Sequence, residues 1–171
     1  MVLTESWTLR KHWACGRSIA QYKGGYPAGF LQRLDKKIGL KGKRVLTLFC
    51  GSSDYGDTLD IKHEVNPTYV ADCRGRFMMG KTDFYDRVIA YPPYDSQNIT
   101  YSDKLYKEKV VKPYSFVKEA VRVCKPNGLI CILHQLVYKT LEGTERYAVI
   151  PITTGPNQRI RVLNIFKKLK Q

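Results

Sequence analysis

Acidic side chains are scarce in this chain. Its 171 residues carry 15 Asp and Glu against 29 Lys and Arg, a formal net charge of +14. A nucleic acid or another polyanion is therefore the expected partner. Several of the acids fall just after predicted strands, so the remaining surface is more basic than the total. No run of about 18 apolar residues occurs, which excludes a membrane-spanning helix. The first residues, with Glu5, Arg10, Lys11 and His12, lack the apolar core of a signal peptide, so a soluble cytoplasmic protein without membrane association is expected. Histidine is rare (His12, His63, His134), with no metal-binding spacing. The cysteines, Cys15, Cys50, Cys73, Cys124 and Cys131, are odd in number and form no C-x-x-C, so neither a disulfide framework nor a zinc site is expected. Repeats, linkers and low-complexity segments are missing, and the length allows one core rather than two.

What is present centres on residues 44–60. The apolar run 45–49 reads as a buried parallel strand, and it leads into a glycine turn, Gly51-Ser52-Ser53-Asp54-Tyr55-Gly56. In a dinucleotide loop the middle glycine lets the backbone touch a pyrophosphate. Here that position is Ser53, and Asp54, Asp57 and Asp60 are expected to crowd the same turn, which suits a positively charged ligand better than a phosphate.

Upstream, Trp7, Trp13, Ile19 and Tyr22 suggest a short helix. Gly24-Gly25-Tyr26-Pro27 then places Pro27 just inside a second helix, with Phe30, Leu31, Leu34 and Ile38 on one face and Gly39 as its stop. Downstream, strands are predicted over 58–61, 68–71 and 87–91, the last ending at Pro92-Pro93 because proline cannot continue a central strand. Helices are predicted over 102–109 and 113–125, the latter burying Phe116, Val117, Ala120, Val121 and Cys124. Lys125-Pro126-Asn127-Gly128 turns into a buried strand over 129–133, and 146–152 with 159–166 read as an antiparallel hairpin.

Alternating strands and helices followed by a hairpin make a mostly parallel α/β sheet with one antiparallel strand. Such sheets bind ligands outside the carboxyl ends of their strands. The glycine loop, Asp60, Asp72 and Tyr91-Pro92-Pro93-Tyr94 are all expected at those ends. His134 closes a strand there too and reads as a satisfied strand-end histidine rather than a cleft residue.

On these residues the chain resembles the class I S-adenosylmethionine (SAM)-dependent methyltransferases, and most of all those that modify adenine N6 or cytosine N4 in DNA. The resemblance spans roughly 24–166. Phe49, Cys50, Gly51, Ser52 and Ser53 resemble the family's SAM-binding loop, with Ser53 departing at the second glycine. It implies that Asp60, with Ile61, holds the ribose, that Asp72, with Cys73, accepts the adenine amino group, and that Tyr26 and Pro27 lie against the methionine end. Tyr91-Pro92-Pro93-Tyr94 resembles the catalytic (D/N/S)-P-P-(Y/F) motif, with Tyr91 as its departure and Asp95 as a substitute carboxylate. In that chemistry Tyr91 and the Pro92 carbonyl accept hydrogens from the amino group, Pro93 stiffens the turn, and Tyr94 stacks on a flipped base.

The resemblance implies a Rossmann-like methyltransferase fold, with a mostly parallel seven-stranded sheet and a C-terminal antiparallel hairpin. One domain over 1–171 is expected, a helical segment over 1–40 preceding a core over 43–171. It implies SAM as cofactor and nucleic acid, DNA before RNA, as partner, with target recognition from short loops, a protein partner or a homodimer. RNA methylation, a small-molecule or protein substrate, and a non-catalytic SAM- or nucleic-acid-binding module stay open as alternatives.

Overall fold

In the computed structural model, the described residues are 12–18, 25–76, 80–93 and 111–170. They form an 8-stranded sheet in the order β1-β7-β8-β6-β5-β2-β3-β4. The strands are β1 (Trp13–Ala14), β2 (Val45–Leu48), β3 (Asp57–Asp60), β4 (Tyr69–Val70), β5 (Tyr85–Ala90), β6 (Cys124–His134), β7 (Thr144–Thr153) and β8 (Arg161–Lys168). The helices among the described residues are α1 (Phe30–Ile38), α2 (Val117–Val123) and a 3-10 turn, His63–Val65. No helix among the described residues is long and apolar enough to cross a membrane.

Strand β8 alone runs against its neighbours, β6 and β7, and every other pair is parallel. The mostly parallel sheet and the closing hairpin thus match expectation, but the strand number does not. The extra strand is β1, which lies parallel to β7 with Trp13 opposite Ile152. Trp13 was expected in a short helix. Pairing to the open edge of β7 satisfies backbone groups that so short a segment cannot satisfy alone.

Alternate residues of the central strands feed two cores. Leu46, Leu48, Val88, Ala90, Ile130 and Ile132 face α2 and Phe116. Val45, Ile89, Leu129, Cys131 and Leu133 face α1 through Phe30, Leu34 and Ile38. Burial on both faces explains the continuous apolar runs, and each buried Leu, Ile or Phe contributes about 1.5–3 kcal/mol.

Helix α1 begins later than Pro27 suggests. Residues 27–28 are instead extended, because Ala28 and Gly16 exchange backbone hydrogen bonds (3.1 and 3.0 Å). Gly29, at φ +80°, then turns the chain into the helix. At the other end Gly39 (φ +64°) stops it, as the sequence predicts. Cys124, expected on α2, instead opens β6 with extended dihedrals. The turn 125–128 is a bulge inside β6, between the pairs Tyr85–Cys124 and Arg87–Leu129.

The expected strand–helix alternation also fails at its first step. Residues 49–56 connect the parallel strands β2 and β3 with no α-helix, where such crossovers ordinarily take about a dozen residues or more. The shortcut depends on Gly56. Its φ is +72°, and a Cβ there would stand 2.5 Å from the Val45 carbonyl oxygen, so only glycine lets the chain double back against the start of β2. Thr47 fastens the same loop by donating its hydroxyl to the Tyr55 carbonyl at 2.7 Å.

Candidate active site

Strands β2, β3, β4 and β5 are parallel neighbours, so whatever follows them lies along one edge. Residues 49–53 leave β2 there, Asp60 ends β3, Asp72 lies just past β4, and Tyr91 follows β5 directly. Tyr94, Asp95 and the predicted helix 102–109 lie outside the described residues.

The loop after β2 is tightly built. Phe49 takes a left-handed φ of +53° while its ring packs edge-on against Phe116 at 5.1 Å. Its side chain therefore belongs to the core, and only its backbone belongs to the loop. Gly51 also has positive φ (+51°). Ser53 donates its amide to the Cys50 carbonyl at 2.8 Å, closing the turn. The Ser53 hydroxyl is buried and has no hydrogen-bond partner among the described residues, whereas Ser52 is exposed.

Asp60 braces this loop. Its carboxylate is 6% exposed and accepts from the Gly51 amide through Oδ2 and from the Lys62 amide through Oδ1, both at 3.0 Å. A carboxylate offers about four acceptor positions, so each oxygen retains capacity toward a ligand. Ile61 is half-buried against the adjoining core. Burial, then the neighbouring Asp60 charge, pushes the Cys50 thiol up to about 11. Burial raises Cys73 as well, with Asp72 and Asp60 adding to the effect.

The other two acids behave differently from expectation. Asp57 does not crowd the loop, because it opens β3, at the opposite end from Asp60. There it accepts from the Tyr85 hydroxyl at 2.7 Å, with Lys81 at 3.9 Å. Asp54 is exposed.

Asp72 is clasped by Arg74. The guanidinium donates Nε to both carboxylate oxygens (3.0 Å each) and Nη2 to Oδ2 (2.6 Å), and the Arg74 amide donates to Oδ1 at 2.9 Å. This fork holds the carboxyl below the usual carboxylate range. Nothing in the pattern Asp72-Cys73-Arg74 alone distinguished a ligand acceptor from a local ion pair.

Tyr26, Phe30 and Tyr91 form an aromatic stack. Tyr26 lies 5.3 Å from Phe30, nearly parallel at 4°, and 5.4 Å from Tyr91. The Tyr26 hydroxyl is buried and without a hydrogen-bond partner among the described residues. Burial raises its pKa, and the thiol of Cys50 and the phenol of Tyr91 lie close enough to add to the shift. The structure thus brings together three separately predicted segments, 26–27, 49–53 and 91–93. Pro92 is buried and Pro93 half-buried directly after Tyr91.

The Tyr91 hydroxyl accepts a hydrogen bond from Arg161 Nε at 3.4 Å. Arg161 was read only as part of a β-rich run. Strand β8 is antiparallel, so it starts at the edge where its neighbours end, and its first residue reaches the cleft. Beside Tyr91 and Pro27 opens a cavity of about 260 Å³, lined also by Thr154 and Arg161.

His134 is satisfied, as expected. It is 4% exposed, its Nδ1 accepts the Leu136 amide at 3.1 Å, and burial pushes it down to about 4. All five cysteines are free thiols, four of them buried and Cys15 half-buried. No group of three or more metal-ligating side chains occurs among the described residues.

No protein-family model matches this chain, and no curated protein sequence does either. Solved structures do resemble it. A TehB-like SAM-dependent methyltransferase from Corynebacterium glutamicum is 12% identical, covering 85% of this chain and 90% of its own at a TM-score of 0.53. A Listeria monocytogenes protein assigned to the SAM-dependent methyltransferases is 12% identical, covering 83% and 99% at 0.55. One chain of the complex between the Haloferax volcanii Trm112 methyltransferase activator and its methyltransferase is 11% identical, covering 83% and 95% at 0.53. At these identities the likeness concerns architecture, and the chain has the α/β fold found in SAM-dependent methyltransferases.

Proposed function

We propose that this chain is a SAM-dependent methyltransferase acting on an exocyclic amino nitrogen of a nucleic-acid base, adenine N6 or cytosine N4, in DNA. One observation carries the reading. A glycine loop, a strand-end aspartate and a Tyr-Pro-Pro turn follow neighbouring parallel strands of a methyltransferase-type sheet, and Tyr26 joins the first to the last. The whole chain, 1–171, is read as one domain.

Bound SAM supplies a methyl group carried on a positively charged sulfur. The loop 49–53 would hold its methionine part, with Tyr26 and Pro27 against it. The buried Ser53 hydroxyl fits a polar ligand, because an unpaired buried hydroxyl is costly. Asp60 has acceptor capacity left for the ribose hydroxyls. Asp72, with Cys73 beside it, serves the adenine amino group once Arg74 yields part of its fork.

The chain's own contribution to transfer is acceptance and alignment. A base amino group has its lone pair delocalised into the ring, and it becomes nucleophilic as acceptors hold its hydrogens. Pro92 has no N–H and offers only a carbonyl. Tyr91 adds a phenol oxygen, with Asp95 as a nearby carboxylate in sequence, and Tyr94 stacks on the base. Holding the nitrogen in line with the methyl then supplies most of the rate. The basic balance of +14 favours a polyanionic substrate. Specificity is read as coming from short loops, a second copy or a protein partner, and one structural relative is itself complexed with an activator protein.

Two contacts favour a second reading, a binding module without transfer. Arg74 already occupies Asp72, and Arg161 already donates to Tyr91. Transfer of labelled methyl from SAM to duplex DNA, single-stranded DNA and total RNA, followed by nucleoside mass spectrometry, decides between them. A methylated adenine or cytosine amino group establishes the enzyme and names the base, and label on RNA alone moves the substrate to RNA. SAM binding without any label establishes the module. Within the enzyme reading, Asp60→Ala weakens SAM binding, while Tyr94→Ala spares it and abolishes transfer.

A further inference from the structure

The unexpected eighth strand has a second consequence. By pairing with β7, β1 carries Arg17 and Ser18 to the rim of the cavity beside Tyr91. Cys15 fixes this segment by donating its amide to the Thr153 carbonyl at 2.8 Å, and Gly16 ties it to Ala28. The β7–β8 turn contributes Thr154 and Gln158, and β8 contributes Arg161. Among the described residues the lining thus holds two guanidinium groups, two hydroxyls, an amide and the Tyr91 phenol, and no carboxylate.

Arg161 is held in place before any ligand arrives. Its Nη1 donates to the Arg159 carbonyl at 2.6 Å and to the Thr154 hydroxyl at 3.3 Å, while Nε reaches Tyr91 at 3.4 Å. A planar guanidinium fixed in orientation loses little freedom on meeting a tetrahedral or planar anion, which suits phosphate above a point-charge partner. The cavity, at about 260 Å³, is below the roughly 300–1,000 Å³ that encloses drug-sized ligands. It has room for a sugar-phosphate unit, not for several nucleotides.

We propose that this cavity is a phosphate subsite for the acceptor nucleotide, in which Arg17 and Arg161 take the phosphate while the base lies at the Tyr-Pro-Pro turn. The proposal rests on the nucleic-acid reading above and adds how the substrate is gripped. The SAM-binding loop plays no part in it, because the cofactor carries no phosphate. The phosphate belongs either to a diester in a polynucleotide or to the monoester of a free nucleotide.

Calorimetric titration of the full chain with adenosine, adenosine 5′-monophosphate and the dinucleoside monophosphate ApA tests it, with SAM titrated in parallel. The expected result is binding of the monophosphate or of ApA at least ten-fold tighter than adenosine. Arg17→Gln, at an exposed position, should lower that affinity at least five-fold and leave SAM affinity within two-fold. Arg161→Lys, which keeps the charge and loses the fork, should lower it as well. ApA binding at the level of the monophosphate assigns the subsite to a polynucleotide backbone, and monophosphate binding alone assigns it to a free nucleotide. Equal affinity for adenosine and both phosphates, or an Arg17→Gln chain that binds them as the wild type does, overturns the proposal. Arg17-dependent phosphate binding without base methylation would keep the subsite and reject the transfer reaction. Methylation with no phosphate preference would do the reverse.

Discussion

Gly51 and Asp60 are joined, backbone amide to carboxylate Oδ2, at 3.0 Å. The residue expected to hold the cofactor's ribose is therefore also the brace of the loop expected to hold its other end. Two roles in one carboxylate make the pair a sensitive point. Asp60→Asn presents one carbonyl and one amide nitrogen to two backbone N–H groups, so one of those groups loses its acceptor. A hydrogen bond to a charged group contributes about 1.5–3 kcal/mol, which for a chain of this size lowers the melting temperature by about 3–12 °C. We expect that shift in a thermal melt, together with at least a ten-fold loss of SAM affinity. A loss of affinity with an unchanged melt would mean that Asp60 acts on the ligand alone.

Gly56 tests the helix-free crossover. Its φ of +72° already disfavours any other residue, and the Val45 carbonyl 2.5 Å from the position of a Cβ leaves no room. Left-handed geometry costs about 1–2 kcal/mol for a residue with a Cβ, and the clash with backbone adds to it. Gly56→Ala should lower stability by about 3 kcal/mol or more, read as a shift of the urea midpoint. Gly29, at φ +80° but with nothing near its Cβ position, is the control and should lose about 1–2 kcal/mol. Equal losses in the two variants would show that the close approach to β2 contributes nothing.

The contrast between these glycines bears on what the sequence made legible. Apolar runs such as 45–49 and 129–133 announced their strands because both faces are buried, and the Pro92-Pro93 exit could be read because proline lacks a donor. Strand β1 was hidden because Trp13 and Ala14 have meaning only beside β7, far away in the chain. The crossover was hidden for a related reason, since Gly56 looks like any turn glycine until Val45 lies against it. Within the site, Asp60 and Asp72 were visible as strand-end acids, but their engagements with Gly51 and Arg74 are matters of side-chain direction. Arg161 was invisible because one guanidinium among 29 basic residues carries no signal until β8 is known to start at the cleft.

His134 should make stability depend on pH. Burial holds its folded pKa at about 4, against 6.5 for the free side chain. The unfolded chain therefore takes up a proton over a range in which the folded chain stays neutral. Stability is complete above 6.5, falls as pH drops from there to about 4, and levels off below, for a total of about 3 kcal/mol from this group. Urea unfolding at intervals between about pH 7 and pH 4 measures the slope. His134→Gln should flatten it by that amount, and parallel curves for the two proteins would mean that the ring is charged in the fold.

Tyr91 occupies the position that the motif it resembles gives to a small acceptor, and its hydroxyl receives Arg161 Nε at 3.4 Å. The donor fixes the phenol oxygen in one place. Tyr91→Phe removes the acceptor and leaves the stack with Tyr26 (5.4 Å) intact, so methyl transfer should fall at least ten-fold while SAM affinity stays within two-fold. Tyr91→Asp restores an acceptor of higher charge that Arg161 can neutralise, and it should match or exceed the wild-type rate. The two variants separate oxygen from ring. If Tyr91→Phe keeps full activity and Tyr91→Asp is dead with an unchanged melt, position 91 contributes its aromatic face, and acceptance of the amino hydrogens falls to the Pro92 carbonyl alone.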